Sequence, residues 1–277
     1  MKVKSAALTA TVLALLLAGM TACSTTPLPP GELGTGPYTF SQTTIAAGGG
    51  YGGGTIYAPT GGGPHGGPYG AFVVVPGYTA TQSSIAWYGP LLASQGFVVY
   101  TIDTNTTGDD PASRSTQQLA AMSYLTDQSP VKAEVDKDRL VAMGWSMGGG
   151  GSLRTAVARP SLKAVVSLAG WEPGFDVSAI HIPTLVVACQ GDVIAENTTN
   201  SQRFYAQLPA GTKKAYLEIA TSSNHFCVTS SDQTIANTLI PWAKVFVDGD
   251  PTYGHHLCPG PGVSATVIDY RATCPMP

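Results

Sequence analysis

Short apolar, β-branched runs recur along the chain at residues 71–75, 97–102, 140–143, 164–168, 184–188 and 215–219. Runs of this length and composition fit the strands of a sheet. The intervening stretches 84–94, 113–127, 146–158, 198–208 and 231–247 fit helices. Strand and helix in turn predict an α/β fold, a mostly parallel, twisted central sheet flanked by helices. Residues 48–70 break this rhythm. They are dense in Gly and Pro, with Thr55-Ile56-Tyr57 the one strand-like piece, and predict an edge hairpin with surface loops, neither a repeat nor a second domain.

One junction in the pattern carries chemistry. Gly144-Trp145-Ser146-Met147-Gly148 sits where the apolar run 140–143 meets a helical stretch. A serine at a tight strand-to-helix turn is pushed up on a strained backbone, and glycines flank it because a Cβ there would collide with the neighbouring strand and helix. A phosphate-binding loop is excluded, since no Lys follows Gly149, Gly150 and Gly151.

A serine nucleophile needs a base and an acid. In the α/β-hydrolase arrangement these follow in the order Ser, Asp or Glu, His, each on a loop after a strand. His181 precedes the run 184–188, and His255 and His256 lie in a Pro- and Gly-rich tail, whereas His225 follows the run 215–219. Asp192 directly follows the run 184–188, with Glu196 the second choice of acid. The oxyanion needs two preorganised donors: the backbone N–H of Met147, next to the nucleophile, and that of Tyr78 in the loop Val75-Pro76-Gly77-Tyr78. Trp145, Met147, Trp171 and Ile194 fall in the same loops and predict a shallow aromatic and apolar cleft.

Composition narrows the class further. The chain of 277 residues suits one catalytic domain, and charged residues at 11% with a net charge of -3 exclude the basic footprint of a nucleic-acid binder. Lys2 and Lys4 precede an apolar stretch, 6–18, too short to cross a bilayer comfortably, as in a signal peptide covering 1–22. Met20-Thr21-Ala22-Cys23 resembles a bacterial lipobox, which would acylate Cys23 and leave 23–37 as a lipidated Cys with a flexible linker to a catalytic domain over 38–277. Ordinary cleavage near Ala22 with full secretion is the rival. A membrane partner is expected only through that anchor, and the exported protein is expected to be monomeric. Five cysteines are present; with Cys23 assigned to lipid or leader, Cys189, Cys227, Cys258 and Cys274 can pair in three ways. Joining Cys189 to Cys227 would tie the loops of Asp192 and His225 together and leave Cys258 and Cys274 to pin the tail.

Several separate motifs resemble those of the bacterial cutinases and poly(ethylene terephthalate) hydrolases. They are Gly77-Tyr78-Thr79-Ala80 with Gln82-Ser83-Ser84, Ile102-Asp103-Thr104-Asn105, residues 144–151, Pro160-Ser161-Leu162-Lys163-Ala164 and Pro183-Thr184-Leu185. The likeness runs from near Gly50 to the C-terminus. It implies an α/β-hydrolase without a large lid domain that cleaves carboxylic esters, polymeric or small, with no cofactor and no metal. It puts the triad on Ser146, Asp192 and His225, the oxyanion donors on Tyr78 and Met147, and an aromatic clamp on Tyr78 and Trp171. Trp145 and Ile194 fall beside the clamp, and Thr79, Met147 and Phe226 complete the implied substrate-binding set. Trp145 in place of the His usual in cutinases, and Cys189 with Cys227 as an additional disulfide, resemble the mesophilic poly(ethylene terephthalate) hydrolases. Phe226 stands where the best-known member has a small serine, Thr81 replaces an Arg, and 221–224 is a longer approach to the histidine. These departures bear on cleft width and on aromatic polyesters, not on the triad. Three alternatives are a lipase or short-chain esterase, a serine peptidase of the same fold, and a noncatalytic polymer-binding lipoprotein. An intact triad argues against the last, and no extra lid or propeller domain is present to recognise a peptide amine.

Overall fold

The computed structural model describes residues 36–61, 63 and 65–277, so the expected leader and Cys23 lie outside the described residues. The strands are β1 (Thr39–Ile45), β2 (Gly54–Gly61), β3 (Tyr69–Val75), β4 (Val98–Ile102), β5 (Val135–Trp145), β6 (Ala164–Leu168), β7 (Thr184–Cys189), β8 (Lys214–Ile219) and β9 (Val267–Ala272). They form one sheet in the order β1-β2-β4-β3-β5-β6-β7-β8-β9. The strands β3 to β8 pair with one another in parallel, while β1 with β2, β2 with β4 and β8 with β9 pair antiparallel. This is the α/β-hydrolase architecture expected from the sequence, and each apolar run falls in a strand apart from Phe97, which precedes β4.

The helices are α1 (Tyr88–Ala93), α2 (Pro111–Asp127), α3 (Met147–Ala158), α4 (Ser201–Gln207) and α5 (Gln233–Ala243), with one further turn at Gly254–Leu257. Asp110 caps α2 by accepting from Ser113 N at 2.7 Å, and Pro111 occupies the first turn, where its missing N–H costs nothing. The helix expected at 84–94 is divided into a 3₁₀ turn, Gln82–Ile85, and α1. The one expected at 231–247 stops at Ala243, and the chain continues as a single π-helical turn over Lys244–Asp248.

Two apolar layers explain why the central strands read as apolar runs. Val74, Val99, Met143, Val166, Val187 and Leu217 face one side, against Leu91 of α1 and Leu239 and Trp242 of α5. Their neighbours Val73, Tyr100, Ala142, Val165, Val186 and Tyr216 face the other, against Met122 of α2, Leu153 of α3 and Phe204 of α4. Side chains alternate in direction as a strand demands, but both directions are covered.

Three strand segments escape the apolar-run pattern for one reason: they are not covered. β1 and β9 lie at the sheet's edges and are half exposed, and β5 begins with a polar segment through Asp136 and Asp138. The hairpin expected within 48–70 forms instead between β1, which precedes that stretch, and β2; because β2 also pairs with β4, β1 is the edge strand on that side. The parallel arrangement brings the loops after β3, β5, β6, β7 and β8 to one end of the sheet, and these loops carry Tyr78, Ser146, Trp171, Asp192 and His225.

Candidate active site

Ser146 lies between β5 and α3 with φ 56° and ψ -122°, a region that L-residues other than glycine avoid. The strain is imposed by its setting. Its N–H donates to Leu168 O at 3.0 Å, and its carbonyl accepts from Trp171 N at 2.9 Å and Gly150 N at 3.0 Å. Close packing requires the glycines of the elbow: a Cβ on Gly144 would run into the backbone of Gly148, and one on Gly148 into the carbonyls of Val75 and Pro76. Four non-glycine residues among those described have positive φ, namely Thr79, Ser146, Ala169 and Asn224, and all are on loops at this end of the sheet. Strain of this kind persists only where the surroundings over-determine it.

The three residues expected to form a triad are brought together. His225 Nε2 is 2.8 Å from Ser146 Oγ, and His225 Nδ1 is 2.7 Å from Asp192 Oδ2. All three are buried. The second carboxylate oxygen of Asp192 accepts from Ile194 N at 2.9 Å and Ala195 N at 2.8 Å. Burial works against the charge on Asp192, but the hydrogen bond from His225 and those two N–H groups outweigh it and hold the carboxyl below its usual range. Glu196, the second choice of acid, makes no hydrogen bond to the histidine; its carbonyl caps the turn into α4.

Among the described residues, the N–H groups of Tyr78 and Met147 donate to no protein acceptor outside the helices and strands. Met147 opens α3, so its N–H is one of the free donors at the positive end of a 12-residue helix. Gly77 lies against Ser146, where an added Cβ would be 2.9 Å from Ser146 Cβ. Tyr78 and Thr79 are exposed beside it.

The apolar residues expected around the site divide by exposure. Tyr78, Ile194 and Phe226 are 54%, 51% and 51% exposed, and Val193, absent from the sequence reading, is 75% exposed. Met147 and Trp171 are half-buried. Trp145 is buried: its ring lies 5.5 Å from the imidazole of His225 and 5.5 Å from Phe226, and its indole N–H donates to His225 O at 3.2 Å. It therefore braces the histidine from behind.

Cys189 pairs with Cys227 and Cys258 with Cys274, each with Cα atoms 5.8 Å apart. The first bond joins the end of β7 to the turn carrying His225. Sequence reasoning missed a second tie between the same loops. Asn224, at φ 53°, accepts on its one carboxamide oxygen from His225 N at 2.9 Å and from Val193 N at 3.0 Å. The available signal was the residue type, since Asn tolerates the left-handed region better than most residues. Trp171 is fixed from the other side. Glu172 N donates to Asn200 Oδ1 at 3.1 Å, and Arg154 forks onto the Glu172 carboxylate at 2.9 and 3.1 Å.

Residues 30–275 match the family model described as PET hydrolase-like. Among similar characterised proteins, a bis(hydroxyethyl) terephthalate hydrolase of Streptomyces coelicolor is 49% identical over 87% of this chain and 77% of its own length. A cutinase of Thermobifida alba is 46% identical over 88% and 82%, and one of Thermobifida fusca 44% over 88% and 77%.

Proposed function

The chain belongs to the PET hydrolase-like family of carboxylic ester hydrolases, and on that premise we propose that it hydrolyses polyesters, cutin-like or aromatic, and their smaller ester fragments through an acyl-enzyme on Ser146. The observation that carries this reading is the unbroken relay from Ser146 through His225 to Asp192, at 2.8 and 2.7 Å. His225 Nε2 takes the Ser146 proton as Oγ attacks the ester carbonyl, and Asp192 stabilises the imidazolium and holds its tautomer. The N–H groups of Tyr78 and Met147 receive the oxyanion. The imidazolium then protonates the departing alcohol, and water activated by the same histidine releases the acid.

An exposed apolar rim of Tyr78, Val193, Ile194 and Phe226 supports a long, apolar substrate over a small polar one. The test is labelling with a fluorophosphonate, mapped to Ser146, together with assays on a nitrophenyl ester, its amide analogue, triglycerides, cutin and an aromatic polyester film. Ester and film cleavage with no amide cleavage is the expected result. Activity restricted to short soluble esters would sink the polyester reading, and absence of label on Ser146 would sink the triad.

Export belongs to the same proposal. Two disulfides suit an oxidising compartment, and among the described residues no helix is long and apolar enough to cross a membrane. Globomycin treatment or Cys23→Ser should move the protein from the membrane fraction to the soluble one. An unchanged distribution in both would establish plain secretion instead.

A further inference from the structure

Arg114 of α2 is the one fully buried side-chain cation among the described residues. No carboxylate forms an ion pair with it, and the carboxylate of Asp109 is engaged by Thr106 and Gln117. Instead the guanidinium is spent on main-chain carbonyls. Nε donates to Asp109 O at 2.7 Å, Nη1 to Pro76 O at 3.0 Å and Thr104 Oγ1 at 3.3 Å, and Nη2 to Thr107 O at 2.8 Å. Burial pulls its pKa down to about 10, against the attraction of Asp109 and Asp110, so it stays charged at neutral pH.

A buried cation without a partner carboxylate is an expensive way to fill space, and an apolar side chain of similar length would commonly serve stability as well or better. What an apolar side chain cannot do is grip carbonyls from two different loops. The packing makes room for this grip: Gly151 of α3 faces the root of the side chain, where an added Cβ would be 3.1 Å from Arg114 Cβ and 3.0 Å from Pro111 O.

The gripped carbonyls bracket one residue. Pro76 precedes Gly77 and Tyr78, and Thr107 O also accepts from Thr79 N at 2.8 Å. The turn 76–79 is thus held before and after Tyr78 by the same guanidinium, directly on one side and through Thr107 on the other. Thr79 is kept at φ 59°, a conformation it would leave if released. We infer that Arg114 is a positioning residue for the oxyanion hole, fixing the direction of the Tyr78 N–H by clamping the carbonyls of Pro76 and Thr107. This rests on the reading of Tyr78 and Met147 as the oxyanion donors.

The test uses the full-length protein carrying Arg114→Met, Arg114→Gln or Arg114→Lys. Melting curves establish folding, and end-point fluorophosphonate titration counts active sites. Per active site, Met and Gln variants are expected to lose about 10²-fold in kcat on a nitrophenyl ester, as misdirecting an oxyanion donor does. KM should hold, and affinity for phenylboronic acid, which forms a tetrahedral adduct on the serine, should fall by a similar factor. The Lys variant, with a single ammonium in place of the fork, should recover part of both losses. A folded Met variant with unchanged kcat and boronate affinity would overturn the inference, as would a change confined to KM or to the melting temperature. If Met and Gln variants do not fold, an Arg114→Lys protein indistinguishable from the parent in kcat and boronate affinity overturns it equally. Ser146→Ala separates this inference from the triad: were it to remain active, the triad would be wrong; with it inactive, a null result at Arg114 overturns the positioning of the Tyr78 N–H and leaves the triad standing.

Discussion

The two sides of the candidate active site are held by different chemistry. On the histidine side, the Cys189–Cys227 bond, the carboxamide of Asn224 and the indole of Trp145 tie down the loops of Asp192 and His225. On the side of the proposed oxyanion donors, the turn carrying Tyr78 has no covalent tie: the Arg114 guanidinium donates to Pro76 O, Thr79 N donates to Thr107 O and Ala80 N to Gly77 O. The tasks differ accordingly. The histidine side must align two side chains, 33 residues apart in sequence, to within a hydrogen bond of each other. Each has its own rotamers, so both backbones must be fixed first. On the proposed reading, the oxyanion side has to aim a backbone N–H, which has no rotamer, so gripping the neighbouring carbonyls is enough.

Ser146, where the two sides meet, should show the largest effect. Ser146→Ala is expected to abolish ester hydrolysis, by on the order of 10⁶-fold in kcat, with an unchanged melting curve; more than a few per cent of residual activity would mean the nucleophile is elsewhere. Asp192→Asn acts on the histidine side only and should cost about 10⁴-fold by favouring the wrong tautomer, while Glu196→Gln leaves turnover near the parent value. The reverse ranking in initial rates would reassign the acid.

Replacing Cys189 and Cys227 by Ser should remove about 4 kcal/mol of stability in the loop-entropy model and lower turnover even well below the melting temperature. Cys258 and Cys274 close a shorter loop and should cost about 3 kcal/mol without touching turnover; equal kinetic effects from both pairs would erase the contrast between the regions. Asn224→Gly should be smaller again. It keeps the left-handed backbone but loses two hydrogen bonds of about 1 kcal/mol each, so turnover falls while Asn224→Asp, which restores an acceptor, recovers it. Asp192 supplies the smallest and most specific signature. With its pKa depressed in the folded state, it adds stability above the ordinary carboxylate range, and that stability is lost as pH falls through the depressed value. Acid melting curves of the parent should therefore fall more steeply than those of Asp192→Asn.

The parts legible in the sequence are those whose cause is local. Gly144 to Gly148 announces an elbow because the turn itself excludes larger residues, and the apolar runs announce strands because both faces are covered. Asp192 and His225 can be read because each lies on the loop after such a run. Arg114 and Asn224 act across the fold instead. Arg114 grips Pro76 at a separation of 38 residues and Asn224 grips Val193 at 31, and no pattern along the chain marks either partner. Trp145 can be placed near the serine from the sequence, but its burial behind His225 depends on a loop 80 residues away. β1 and β9 were hidden by their half-exposed composition.

The sheet's two edges also differ in what they invite. β9 presents Asp269 and Arg271 and is clipped by the Cys258–Cys274 bond, whereas β1, Thr-Phe-Ser-Gln-Thr-Thr-Ile, carries no charge along its length. A bare, neutral edge is a template for another copy's backbone, while charged residues on an edge discourage such pairing. Colloidal trouble at high concentration or on heating is thus expected to start at β1, at the far side of the sheet from β9, and a single lysine placed on its exposed face should raise solubility without reaching the chemistry.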